Sequence, residues 1–92
     1  MTRAQLGAMA VDELLERFIA IAIAQGEAIT DDNSAKFNVL YQEMDDVGSE
    51  LKSRPGDARS VLLRLYTHPN VQVRLEAAIN TREIAPTAAR KL

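Results

Sequence analysis

The sequence predicts an all-α fold of four or five helices. Apolar side chains recur at steps of three and four along most of the chain, which is the period of a helix face. Short clusters rich in Asp, Asn, Ser, Pro and Gly separate these runs: "TDDNS", "SRPGD", "HPN". The one stretch with a strand-like alternation, Ile19, Ile21 and Ile23, lies among alanines and follows "DELLERF", a strong helix former.

Residues 1–10 show no clear period and read as a loose lead-in. From Val11 the positions Val11, Leu14, Leu15, Phe18, Ile21 or Ala22, and Gln25 form one face, giving a helix over 11–28. Its second half is apolar nearly all round, so it is expected at the centre of the fold. "TDDNS" supplies a turn and an N-cap, because short side-chain oxygens accept the free amides of a first helical turn. Phe37, Leu40, Tyr41, Met44, Val47 and Leu51 then make a single stripe over 34–52, with Glu43, Asp45, Asp46 and Glu50 mostly off it.

"SRPGD" stops that helix, and Asp57 can cap the next. Ala58, Val61, Leu62 and Leu65 predict a short helix ending near Tyr66. "HPN" is a turn with Asn70 as N-cap. A helix over 71–81 follows, with Val73, Ala77 and one of Leu75 or Ile79 inward. Pro86 opens a fifth pattern that reaches Leu92. Two turns are short for a stable helix, so the natural chain is expected to run on.

Composition excludes several classes. Ninety-two residues make one domain with a modest core. There is no cysteine, which removes disulfides, thiolate metal sites and thiol nucleophiles, and fits a cytoplasmic protein. No run is long and apolar enough for a membrane helix. Charge is uneven: residues 31–53 carry two basic and six acidic side chains, and residues 54–92 carry seven and three. A pI near 5.3 disfavours a dedicated nucleic-acid binder.

The stretch "THPNVQVRLEAA", Thr67 to Ala78, resembles a HEAT-like repeat. It has a helix, a proline turn, a Val73-Arg74 pair opening the second helix, and small residues Ala77 and Ala78. The resemblance covers Asp57 to Leu92. The whole chain also resembles the small bacterial proteins grouped as domain-of-unknown-function family 2019, built as short α-α superhelices of HEAT-like hairpins. That resemblance implies no activity. Such repeats often keep an aspartate six residues before the motif arginine, where His68 stands here, so an Asp–Arg ladder would be incomplete.

Catalytic signatures are missing. His68 has no second histidine, no cysteine and no His-Glu-x-x-His spacing. In a turn beside Pro69 it is expected to cap the preceding helix or to sit in water. The glycines form no phosphate-cradling pattern and no calcium-loop spacing occurs. No enzyme, metal or cofactor is therefore expected. Tyr41 and Tyr66 read as mostly buried rings. Arg74 is expected to pair with Asp31 or Asp32.

The reading left is an interaction module for another protein, of which a toxin-binding immunity role is one version. The resemblance implies that helices 34–52 and 71–81 line a concave side. Lys36, Glu43, Asp46, Glu50, Gln72, Arg74 and Glu76 are the candidate partner contacts. The alternatives are a nucleic-acid contact through Arg59, Arg64, Arg82 and Arg90, and a homo-oligomer such as a homodimer formed through exposed apolar ends.

Overall fold

The computed structural model describes residues 2–85. The pattern expected from Pro86 onward, Arg90 included, lies outside the described residues. Within them the chain is helical throughout: α1 (Arg3–Gly7), α2 (Val11–Thr30), α3 (Ser34–Ser53), a 3₁₀ helix (Ala58–Thr67) and α4 (Val71–Thr81). α2 and α3 form one antiparallel hairpin, the 3₁₀ helix and α4 a second, and α2 touches every element of both pairs. The slab measures 37 × 34 × 19 Å, so it is two helices thick. The stacked helical hairpins and the central place of α2 agree with the expectation.

The caps come from the residues that the turn clusters supply. Asn33 Oδ1 accepts from the Lys36 amide at 3.1 Å and starts α3. Before it, Asp32 takes a left-handed conformation (φ 54°) and the Asn33 amide closes on the Ala28 carbonyl at 2.8 Å. This is how a helix ends when its last carbonyls are met by a reversing chain. Gly56 and Asp57 are left-handed in succession, at φ 76° and 56°. A side chain at Gly56 would be strained there. Asn70 Oδ1 accepts from the amides of both Gln72 and Val73, at 2.9 and 3.1 Å.

Of the segment expected as a loose lead-in, residues 3–7 form a capped helix. "TRAQ" is a capping box: the Thr2 hydroxyl accepts from the Gln5 amide and the Gln5 side chain accepts from the Thr2 amide. The short helix that follows exists to deliver Leu6, 1% exposed, into the core. Arg54 ties it down, donating to the Leu6 and Met9 carbonyls at 3.1 and 2.7 Å while its Nε bonds Glu50 at 2.8 Å.

The segment 58–67 is a 3₁₀ helix rather than an α-helix. Its buried positions, Arg59, Leu62 and Leu65, recur every three residues, the 3₁₀ period. The expected inward positions Ala58 and Val61 are only half-buried.

Leu6, Leu14, Phe18, Ile21, Ala22, Met44, Val47, Leu51, Leu62, Leu65, Val73 and Ala77 form one core. Each large side chain in it contributes roughly 1.5–3 kcal/mol by burial, more than any exposed ion pair. α4 brings only Val73 and Ala77, and is the least apolar of the long elements on its inner side. Tyr41 is 62% exposed, against the expectation of a mostly buried ring. It sits near the outer end of the α3 stripe, where no neighbouring element covers it. Tyr66 is half-buried and its hydroxyl bonds Thr81.

Because Arg54 is the main polar tie between α1 and the end of α3, Arg54→Ala is expected to cost about 1–2 kcal/mol in urea unfolding. Amide exchange at Leu6 and Met9 should accelerate more than exchange in α2. Equal protection of α1 in the variant would show that Leu6 alone holds it.

Candidate functional site

α4 carries two apolar stripes on eleven residues, and both cannot face the core. Val73 and Ala77 are fully buried. Val71, Leu75 and Ile79, spaced four apart, are 69%, 51% and 46% exposed. Neither Leu75 nor Ile79 turns inward as expected. The face beside Val73 and Ala77 that is buried is polar: Gln72 and Glu76 are each only 8% exposed.

Three contacts hold this rotation. Asn70 caps the helix, Arg74 Nη1 donates to the His68 carbonyl at 2.7 Å, and Thr81 meets Tyr66. Arg74 is therefore a structural tie to the turn. The expected pairing with Asp31 or Asp32 does not form; the guanidinium is engaged by the His68 carbonyl instead. His68 itself caps the 3₁₀ helix, its amide bonding the Leu65 carbonyl, and its Nδ1 accepts from the Asn70 amide at 3.0 Å.

On its polar side α4 crosses α2. A Cβ on Gly26 would stand 3.4 Å from the Gln72 Cβ, so the helices meet closely there. Gln72 reaches Gln25 at 3.5 Å, a long bond, and the buried Gln25 Nε2 has no partner among the described residues. Burial pushes the Glu76 carboxyl above its ordinary range.

Where the end of α2 diverges from the start of α4, a groove of about 540 Å³ opens. Ile23, Ile29 and Val71 supply its apolar surface, Gly26 and Gln72 its floor, and Glu27 and Asp31 its charge. Ile29, 57% exposed, also borders a smaller hollow of about 230 Å³ with Phe37 and Asp32. Groove and α4 ridge share Val71.

The contacts expected from the sequence fare differently. Gln72 and Glu76 are each buried, and Gln72 lines the groove. Glu43 is half-buried and bonds Arg17 at 3.4 Å. Glu50 is held by Arg54 and Ser53, and Asp46 accepts from Gln42 at 3.2 Å. The acidic set thus serves α1, α2 and α3, and only Lys36 is fully exposed among the seven. Arg59 is 8% exposed and bidentate on Asp57, at 2.8 and 2.6 Å, with Glu83 at 3.6 Å. Its hydrogen bonds hold Asp57 below the usual carboxylate range. Of the arginines expected at a nucleic-acid contact, Arg59 is thus buried on carboxylates, while Arg64 and Arg82 are the exposed ones among the described members of that set.

Ile29, Val71, Leu75 and Ile79 were not among the expected contact residues. The signal for three of them was present as a second i, i+4, i+8 series in α4. Among the described residues no group of three or more potential metal ligands converges, and no helix is long and apolar enough to cross a membrane.

Glu76 gives a pH test. Its carboxyl is raised in the folded state by desolvation, so the neutral form favours the fold. That contribution is full below the ordinary value of 4.5 and is lost as pH rises through the folded value. Glu76→Gln should melt higher than the wild type at neutral pH, and the advantage should vanish in acid. A lower melting temperature at neutral pH would show that the charged form is needed.

Comparison with known proteins places these features in a group. The family model described as Domain of unknown function (DUF2019) matches residues 12–92. The crystal structure of protein RPA1889 from Rhodopseudomonas palustris CGA009 is similar at a TM-score of 0.90 and 38% identity, over 94% of this chain and 71% of that one. No curated protein matches the chain.

Proposed function

Starting from the fact that this chain belongs to the DUF2019 family, to which no activity is assigned, we propose that it is a non-enzymatic module that binds another protein in the cytoplasm. The observation that carries this reading is the ridge of Val71, Leu75 and Ile79. A helix that buries glutamine and glutamate while exposing valine, leucine and isoleucine wastes apolar surface unless something covers it. Obligate and specific interfaces are built on such buried aliphatic anchors with a polar surround. The position of the ridge differs from the concave polar surface that the repeat resemblance implied. Its neighbour, the groove at Ile29, extends it.

The alternative occupant of the same ridge is a second copy of the chain, which the exposed apolar side chains also favour. A nucleic-acid role has less support, since Arg59 is committed to Asp57 and Glu83.

The triple variant Val71→Ser, Leu75→Ser and Ile79→Ser tests the reading. These side chains support little of the fold, so each should change stability by about 0.5 kcal/mol or less. Affinity capture from the native host should recover a protein with the wild type and lose it with the variant. Sedimentation should show a monomer in both. A wild-type dimer that the variant abolishes would transfer the ridge to self-association, and unchanged capture would remove it from function.

A further inference from the structure

The groove between the end of α2 and the start of α4 points to one kind of occupant, on the reading that the chain binds a partner protein. We propose that it takes a partner segment presenting an aliphatic side chain next to a lysine or arginine. The bed is apolar: Ile23, Ile29 and Val71 line it, and the last two are more than half exposed. A volume of about 540 Å³ admits more than one side chain.

The rim has one sign. Among the described residues, Glu27 and Asp31 are the charged ones that line the groove, and no lysine or arginine does. They stand four apart at the end of α2, Glu27 in its last turn and Asp31 as its C-cap, where like charges repel and where the helix places the negative end of its dipole. Neither is in an ion pair among the described residues, unlike Glu43, Glu50 and Asp57, which each hold an arginine. The amides of Gln72 and Val73 in the first turn of α4 are already taken by the Asn70 side chain, so those two are not offered to the carboxylates or to an anion. A cation over Glu27 and Asp31 relieves their repulsion, and an aliphatic group beside it covers Ile29 and Val71. The exposed charges contribute little affinity alone, so the apolar contact supplies binding and the rim selects the sign.

The probe is a synthetic helical peptide of leucine and lysine, compared with the same peptide carrying glutamate for lysine and with one carrying serine for leucine. Each is titrated into the isotopically labelled full chain and followed by amide chemical shifts. The leucine–lysine peptide should shift Ile23, Glu27, Ile29, Asp31 and Val71, and bind at least about tenfold more tightly than either control. The double variant Glu27→Gln and Asp31→Asn, whose melting temperature should be no lower than that of the wild type, should lose that preference. Equal binding of the glutamate peptide, equal binding of the serine peptide, no binding at all, or shifts centred elsewhere would each overturn the proposal. If a host protein is still captured through the α4 ridge while the peptides fail to discriminate, the interaction reading stands and this assignment of the groove falls.

Discussion

The rotation of α4 about its own axis decides what this molecule presents to its surroundings. Turned one way, the helix would bury Leu75 and Ile79 and expose glutamine and glutamate, as an ordinary amphipathic helix does. It is instead held with Gln72 and Glu76 against the body of the protein. The constraint is local. Val73 and Ala77 must meet the core, Arg74 must reach the His68 carbonyl, and Thr81 must meet Tyr66. With those three met, no freedom remains to turn the aliphatic ridge inward. The cost is visible at the seam, where Gln25 keeps an amide nitrogen without a partner among the described residues and Glu76 loses hydration.

Much of the fold was legible because it is local. Asn70, Asn33 and Asp57 announce helix starts by chemistry that acts over two or three residues. The α2 face, including the buried Gln25, follows from period alone. The capping box "TRAQ" was equally local and equally readable, yet five residues of helix carry too little apolar period to stand out. The 3₁₀ segment hid behind the same limit. Arg59, Leu62 and Leu65 keep a three-residue spacing, but an arginine on the buried face conceals it.

The candidate site was less legible, and the reason is physical. Whether Glu43 faces a partner or Arg17 depends on where α2 lies, and Arg59 is spent on Asp57 only once the 3₁₀ helix has formed. Charge in a sequence shows supply, whereas availability depends on tertiary pairing. The α4 stripes posed the reverse problem. Both were visible, and only the contacts of Arg74 and Thr81 decide between them. A family without an assigned activity gives no shortcut here, because function resides in the surface and not in the fold.

The setting of α4 can be measured directly, since the chain has no cysteine of its own. Single-cysteine variants at Val71, Leu75, Gln72 and Glu76 would be treated with a maleimide under native conditions. The structure predicts that Val71→Cys and Leu75→Cys react at nearly the rate of a free thiol, while Gln72→Cys and Glu76→Cys wait on local opening and react far more slowly. Fast reaction at 72 and 76 with protection at 71 and 75 would contradict the account, because it would turn the apolar ridge inward and leave no exposed surface for a partner to cover.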